Sequence, residues 1–260
     1  MEVKTIELAN GLWVLYQHVP YTRTVHCGYI INSGSRDDAL EDSGIAHFIE
    51  HMIFKGTGRR KTFHIVNYLE SVGGDLNAYT TKEKTCFYAS LVSEYFDRAT
   101  ELLTDITFHS TFPEKEIVKE KQVIAEEIDM YRNAPDEAIF EDFDELIFPG
   151  HSLGAPILGT KDTISRFTQE KLFRHIRDSF TRDHIVFSIV GNVSEKQVNE
   201  VIRKYLAPLE LPAGKVVRMA PLRSFQPVQE VEIATQQAHE ILGGWAYPLQ
   251  QGNYVAFMLL

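Results

Sequence analysis

Residues 42–57 read DSGIAHFIEHMIFKGT, and this stretch decides how the rest of the chain is interpreted. Asp42 or Ser43 is placed to cap a helix, predicted over 43–55, whose side chains are apolar nearly all round. A helix of this kind is stable only when other parts of the chain cover it on most sides. The stretch therefore predicts a buried helix that carries two histidines and one glutamate into the core.

The two histidines of this helix have the spacing of a metal site. His47 and His51 are four residues apart, so their imidazoles project from one face and can converge on a single ion. The alternative is a core helix whose histidines bond to carbonyl groups, the commoner state of a single buried histidine. Glu50 opposes that alternative, because an ionised glutamate in an apolar helix is costly without a partner. The HxxEH pattern favours a zinc site with a carboxylate base.

A catalytic zinc ion usually has three protein ligands, so a third must come from elsewhere in the chain. On a helical wheel of residues 114–132, Glu120 and Glu127 fall inside the apolar arc, whereas Glu126 points to the opposite face. The alternative is that the two inward carboxylates form salt bridges at the edge of the core. Beside the histidine pair, the interpretation that one carboxylate is a metal ligand and the other supports it is favoured. The helical wheel does not show which of Glu120 and Glu127 has which role.

Hydrophobic periodicity predicts an α+β fold in which helices cover one face of a sheet. A hairpin is predicted over 3–18 around a two-residue Asn10-Gly11 turn. The other predicted strands are 24–33, 84–91 and 185–193, and the predicted helices are 43–55, 62–72, 94–107, 114–132, 137–147, 163–178 and 195–206.

The chain is predicted to contain a first domain over residues 1–210 and the beginning of a second one. Residues 211–228 are rich in proline and lack helical or strand periodicity, which is typical of a linker. Residues 229–260 open with two segments that resemble strands, at 229–235 and 239–247. We expect them to be the incomplete start of a second domain.

Composition excludes several classes of function. The 26 Lys and Arg against 36 Asp and Glu give a net charge of −10, which disfavours nucleic acid as a partner. No apolar run reaches the ~18–20 residues of a membrane span, and the first residues lack the pattern of a signal peptide, so we expect a cytoplasmic protein without a membrane partner. Cys27 and Cys86 alone cannot build a cysteine-based zinc site, so histidines and carboxylates must hold any metal.

These residues resemble the inverted-zincin metallopeptidases of the pitrilysin, insulin-degrading enzyme and mitochondrial processing peptidase family, in particular its small bacterial branch. The resemblance is carried by GIAHFIEHMIFKGT at 44–57 and EKQVIAEE at 120–127. VGGDLNAYTTKEKTCFYAS at 72–90 and FPGHSLGAPILG at 148–159 match in the same order. The resemblance therefore runs through most of residues 5–210.

Several expectations about the site follow from this resemblance. It implies that His47, His51 and Glu127 bind one Zn²⁺ per chain and that Glu50 is the general base. It also implies that Glu120 is a further carboxylate of the catalytic site, placed behind the ligands. The implied fold is a mixed, mainly antiparallel sheet with helices on one face, followed by the start of a second similar domain.

The resemblance further implies a zinc-dependent endopeptidase that hydrolyses unfolded peptides or processes short segments. Gly74, Asn77 and Ala78 belong to a segment that leads into an edge strand, to which an extended peptide adds by main-chain hydrogen bonds. A second homologous domain or subunit would complete the substrate grip, and a homodimer is one form of it, so we expect weak activity from this chain alone. The alternative function is a non-catalytic peptide-binding or assembly subunit, against which the intact His47, Glu50, His51 and Glu127 argue.

Overall fold

The structure is a computed structural model that describes residues 2–214, 217–222, 228–232, 237–249 and 251–259. Within these residues the strands are β1 (Lys4–Glu7), β2 (Trp13–His18), β3 (Thr24–Ile31), β4 (Asp75–Thr80), β5 (Thr85–Val92) and β6 (Ile185–Gly191). The helices are α1 (Ile45–Met52), α2 (Thr62–Glu70), α3 (Phe96–Phe108), α4 (Glu114–Arg132), α5 (Pro135–Ile147), α6 (Lys161–Ser165), α7 (Gln169–Ser179), α8 (Glu195–Val201) and α9 (Tyr254–Met258).

The strands form one sheet in the order β1-β2-β6-β3-β5-β4. Only β2 and β6 run parallel, and every other neighbouring pair is antiparallel. The expected α+β fold with a mixed, mainly antiparallel sheet is therefore confirmed. β6, the last strand in the described part of the chain, lies inside the sheet and joins strands from the first 31 residues.

One face of the sheet is buried under helices. Side chains alternate along β6, where Phe187 is fully buried and its neighbours are partly exposed. The Tyr29 hydroxyl of β3 lies 2.8 Å from the Thr104 hydroxyl of α3, which fixes that helix to the buried face.

In the described part of the chain, no helix is both long enough and apolar enough to cross a membrane.

The first hairpin forms where predicted, but its turn is longer. Beyond the Glu7–Trp13 pair, the Leu8 N–H donates to the Leu12 carbonyl at 2.9 Å, so residues 9–11 form a three-residue turn rather than a two-residue one. Gly11 closes this turn with φ +85°, a conformation that glycine adopts readily. The Asn10 side-chain amide donates to the carbonyls of Leu206 and Leu209 at 2.8 and 3.0 Å and so ties the turn to the end of the domain.

The helix predicted over 163–178 is two helices. The hydroxyl of Thr168 accepts the backbone N–H of Lys171 at 3.3 Å and begins α7, three residues after α6 ends. Thr168 can stop one helix and start the next because a threonine side chain replaces the missing helical partner of an N–H group. Residues 195–206 also divide, into α8 and a wider turn over Ile202–Leu206.

The described part of the predicted linker is bound to the domain. The Arg218 guanidinium donates to the Asp37 carboxylate at 2.8 and 2.9 Å, and to the backbone carbonyls of Asn32 and Glu83. Residues 211–214 and 217–222 contain no helix or strand, as predicted.

The strands predicted at 229–235 and 239–247 are wrong for the described residues, 229–232 and 239–247, which form no strand. Residues 233–235 lie outside the described residues. A β-strand is stable only beside a partner, and this segment pairs with none of the strands of the sheet. The final segment forms the short helix α9, which hydrophobic periodicity did not predict.

Candidate metal centre

The helix that carries the histidine pair begins differently from the prediction. Neither Asp42 nor Ser43 caps α1; instead Asp38 Oδ2 accepts the backbone N–H groups of Gly44 and Ala46 at 3.1 and 3.5 Å. Gly44 has φ +93°, and a Cβ atom there would lie 2.5 Å from the Leu158 carbonyl oxygen. The chain can approach α1 from Asp38 only because residue 44 is glycine.

Burial of the apolar side of α1 directs its histidines toward α4. Phe48, Ile49 and Met52 are almost fully buried in the core, and α1 contacts both α4 and β4. The rings of His47 and His51 lie side by side with their centroids 4.6 Å apart. The histidine pair therefore faces the inward carboxylates of α4.

His47, His51 and Glu127 form a group of metal-ligand type in the described part of the chain. His47 Nε2 lies 3.9 Å from Glu127 Oε1, and His51 Nε2 lies 3.6 Å from Glu127 Oε2. These distances are too long for hydrogen bonds. They are close to the separation of about 3.4 Å between two ligand atoms that each lie about 2.1 Å from a tetrahedral ion.

The protonation of the two rings also suits a metal ion. Burial, together with the neighbouring His51, lowers the pKa of His47 to about 3, so that its imidazole is neutral at pH 7. His51 Nδ1 lies 2.8 Å from the Glu120 carboxylate and must carry the proton, which leaves a lone pair on Nε2. With the proton of a neutral His47 on Nδ1, which has no hydrogen-bond partner, the Nε2 atoms of both rings offer lone pairs beside Glu127. Two nitrogens with one oxygen are a donor set that zinc accepts.

Glu120 is buried and balanced by two donors. Its Oε1 accepts from His51, and its Oε2 lies 2.7 Å from Lys55 Nζ. Burial acts to raise the pKa of Glu120, but the hydrogen bonds from His51 and Lys55 outweigh it, so the pKa lies below its ordinary value. Lys55 is not predicted from the sequence, although the spacing of His47, His51 and Lys55 at intervals of four residues is a signal for it.

Glu50 lies beside the group without belonging to it. Its Oε2 atom is buried and has no partner within hydrogen-bond geometry, and Thr80 of β4 faces its carboxyl group with both its backbone N–H and its side chain. Burial raises its pKa above the ordinary value. Glu126, in contrast, is exposed on the opposite side of α4, as the helical wheel predicts. The structure therefore brings together four of the predicted carboxyl and imidazole groups of the motif and places Glu120 directly behind them.

The predicted substrate-binding residues lie on and before β4. Among the described residues β4 pairs with β5 alone, so it is an edge strand. Gly74 is buried just before it, where a Cβ atom would press on Leu69 and Leu91 at 3.2 and 3.1 Å. Asn77 is exposed and donates to Asp75 at 2.6 Å, and Ala78 is half-buried.

The register of β4 shows which of its backbone groups are available. Thr81 donates its N–H to the carbonyl of Lys84 at 2.8 Å, so in this antiparallel register residues 75, 77 and 79 bond to β5. The N–H and C=O groups of Leu76, Ala78 and Thr80 therefore point away from β5 toward the outer side. A further strand could add there.

Comparison with known families places this fold in a family of peptidases. A family model described as Insulinase (Peptidase family M16) matches residues 13–161, more than half of the chain, and one described as Peptidase M16 inactive domain matches residues 166–260. The chain belongs to peptidase family M16. The boundary between the two matches falls inside one sheet, because β6 lies between β2 and β3.

Individual relatives carry the names of zinc proteases and processing peptidases. The chain is 37% identical over 241 residues to an uncharacterized zinc protease, YmxG, of Bacillus subtilis, covering 93% of this chain and 58% of the relative. It is 32% identical to a probable mitochondrial-processing peptidase subunit beta of Schizosaccharomyces pombe, covering 87% of this chain and 49% of the relative. The chain thus spans about half the length of the curated relatives that it matches.

Solved structures share the fold. A protease from Helicobacter pylori superposes with a TM-score of 0.78 at 24% identity, covering 87% of this chain and 54% of that one. Pitrilysin superposes with a TM-score of 0.76 at 21% identity, covering 86% of this chain and 24% of that one. These likenesses place the described sheet and helices among M16-type folds.

Proposed function

We propose that this chain supplies the zinc-binding catalytic half of an endopeptidase that cleaves extended or unfolded peptides. The observation that carries the proposal is the convergence of His47, His51 and Glu127, with the unpartnered carboxyl oxygen of Glu50 beside them. One zinc ion per chain is held by those three residues, which leaves a fourth position open. Membership of family M16 and the names of the relatives support this proposal.

Bound zinc would supply Lewis-acid polarisation of the scissile carbonyl and would lower the pKa of its water toward about 7. Glu50 takes a proton from the attacking water and later delivers it to the leaving amine, since one carboxyl group lies close to both atoms. Burial moves the pKa of Glu50 upward from its ordinary value, toward the neutral range in which a carboxyl group can both accept and donate a proton. Glu120 fixes the ring of His51, and Glu127 binds across both histidines.

The substrate adds to the outer side of β4 as an extended strand. Leu76 and Ala78 offer donors and acceptors there, so recognition rests on the main chain of the peptide. Because α1 contacts β4 and Thr80 neighbours Glu50, a bound strand passes the carboxyl group of Glu50. This mode requires an unfolded or loosely folded substrate.

A second homologous domain or subunit completes the enzyme. This chain covers 58% and 49% of two relatives, and productive positioning of a scissile bond can contribute ~7–11 kcal/mol to lowering a barrier. The test measures cleavage of a fluorogenic unfolded peptide by the 260-residue chain alone and mixed with a complete second domain. Each sample is assayed with and without a chelator and analysed for zinc.

The expected result is a stoichiometric zinc content and chelator-sensitive cleavage that rises strongly when the second domain is added. Zinc binding without cleavage in either sample would instead favour a non-catalytic peptide-binding or assembly subunit. Equal cleavage with and without the second domain would show that this half is sufficient by itself.

A further inference from the structure

Lys55 is the one group of the metal centre that the proposed function leaves without a role. Its Nζ lies 2.7 Å from Glu120 Oε2, and its side chain is 25% exposed, whereas the Glu120 side chain is 4% exposed. The lysine therefore reaches from the protein surface to a carboxylate in the core. A buried carboxylate keeps its charge and its place only where donors occupy both oxygens.

The backbone around Lys55 is held firmly on both sides. Its N–H donates to the carbonyl of Met52 at 3.1 Å, and its own carbonyl accepts from the Thr62 hydroxyl at 3.0 Å. Lys55 thus lies in the turn that follows α1, and its backbone is tied to Met52, the last residue of α1, and to Thr62, the first residue of α2. Both ends of its peptide unit are therefore held where its side chain reaches Glu120.

The Glu120 carboxylate binds two partners through separate oxygens. One oxygen accepts from His51 Nδ1 at 2.8 Å, and the other accepts from Lys55. If the ammonium were removed, the second oxygen would remain buried without a donor, and the carboxylate would no longer be held in one orientation against His51. The His51 ring would then lose the partner that keeps the proton on Nδ1 and the lone pair on Nε2.

We propose that Lys55 is a positioning residue of the metal centre, which acts through Glu120 to fix the tautomer and the orientation of His51. This inference rests on the proposed function for its metal, but the position of the ring is a property of this chain itself. Lys55 touches neither the proposed ion nor the peptide. Its effect must therefore vanish when Glu120 can no longer transmit it.

The test compares Lys55→Met, Lys55→Arg and a matched control, Lys161→Met. Lys161 also pairs with a carboxylate of α4, Asp129, at 2.5 Å, but this pair is exposed on both sides. Zinc dissociation constants of the full 260-residue chains are measured by competition with a chromophoric chelator. We expect Lys55→Met to raise the constant about 10–100-fold, the range for losing support behind a metal-bound histidine. Lys55→Arg should change it less than about threefold, and Lys161→Met should leave it unchanged.

A double-mutant cycle separates positioning from general damage to the fold. In a Glu120→Gln background, Lys55→Met should cost less than about threefold in zinc affinity, since the path from Lys55 to His51 is already broken. Equal losses in both backgrounds, or an unchanged constant for Lys55→Met, would overturn the proposal. If Lys55→Met does not fold, Lys55→Gln takes its place with the same thresholds.

Histidine-selective ¹⁵N spectra of the metal-free chain provide the second readout. His51, assigned with a His51→Ala spectrum, should carry its proton on Nδ1 in the unmodified chain and should populate the Nε2–H tautomer in Lys55→Met. An unchanged tautomer would contradict the proposal. This readout needs neither zinc nor cleavage. If the chain bound no zinc, the proposed function would be refuted, and the spectra would still show whether Lys55 fixes the tautomer of His51.

Discussion

Asp38 Oδ2 accepts the backbone N–H of Gly44 at 3.1 Å and so holds the first turn of the helix that carries both histidines. Burial raises the pKa of the Asp38 carboxyl group well above its usual value, although the backbone donors of α1 act against this shift. The other oxygen, Oδ1, lies 4.0 Å from His175 Nδ1 of α7. The orientation of the metal centre therefore depends on a carboxyl group outside the motif.

Removing this cap should destabilise the fold. We expect Asp38→Ala to lower the free energy of unfolding by about 1–2 kcal/mol, because two N–H groups of a buried helix lose their acceptor. Asp38→Asn keeps an acceptor oxygen and should cost less. Asp42→Ala removes the cap that the sequence suggested and breaks only a partly exposed pair with Lys171, so it should cost below about 1 kcal/mol. Urea unfolding of the metal-free chains measures the free energy of unfolding of all three variants. A larger loss in Asp42→Ala than in Asp38→Ala would contradict the assignment of Asp38 as the cap of α1.

His175 should make the stability fall in mild acid. Burial lowers its pKa to about 4, from about 6.5 in an unfolded chain, so the folded state binds fewer protons between these values. The contribution of neutral His175 to the free energy of unfolding is fully present above about pH 6.5. It is lost as the pH falls toward about 4, at up to about 1.4 kcal/mol per pH unit. Between about pH 7 and pH 5, the free energy of unfolding should therefore fall by about 1–2 kcal/mol less in His175→Gln than in the unmodified chain.

Urea unfolding at the two pH values, with chelator present, measures this difference. His239→Gln replaces an exposed histidine and should follow the unmodified chain. Parallel losses of stability in His175→Gln and the unmodified chain would show that His175 does not carry the acid sensitivity.

The three proposed ligands should each be needed for zinc. His51→Ala and Glu127→Gln should fall well below one zinc per chain after dialysis, since each removes one of three ligand groups. Glu126→Gln changes the adjacent exposed carboxylate and should keep full zinc. Elemental analysis of the purified chains decides the matter, and full stoichiometry in both ligand variants would rule the assignment out.

Glu50 should separate metal binding from catalysis. Glu50→Gln should keep near-normal zinc while peptide cleavage, measured with the completed enzyme, falls at least about 10²-fold, the scale of removing a general base. Retained cleavage would refute the role of Glu50. Lost zinc would move it into the set of ligands.

The free edge of β4 can be tested with proline. Ala78→Pro removes an N–H group on the outer side and should raise the KM for an unfolded peptide by at least about threefold, the equivalent of one hydrogen bond. Its Tm should change little, because the bonds to β5 remain. Asn77→Pro removes a donor to β5 instead and should lower the Tm clearly. If Ala78→Pro leaves KM unchanged, strand addition at this edge is wrong.

The sequence was most informative where periodicity and chemistry agree. The apolar helix around His47 and His51 could form only in a core, and the wheel correctly separated buried Glu120 from exposed Glu126. Most strand and helix positions followed from the same patterns, within a few residues at each end.

What the sequence could not supply depends on contacts between distant residues. Asp38 caps α1 from six residues upstream of Gly44, through a backbone path that only the folded chain defines. The Asn10 side chain binds carbonyls of Leu206 and Leu209, almost 200 residues further along the chain. Residues 239–247 have the composition of a strand but pair with no strand of the described residues, and composition does not report the presence of a partner.

The central place of β6 has a consequence for how the chain acquires its structure. β6 is bonded to β2 on one side and β3 on the other, across more than 150 residues of intervening chain. Until residue 191 has left the ribosome, the β1–β2 hairpin and the β3–β5–β4 unit have no strand to join them. Folding of the sheet must therefore wait for a late, non-local pairing, which is slow because a long loop has to close first. The histidine helix is synthesised early but acquires its final surroundings among the last parts of the domain.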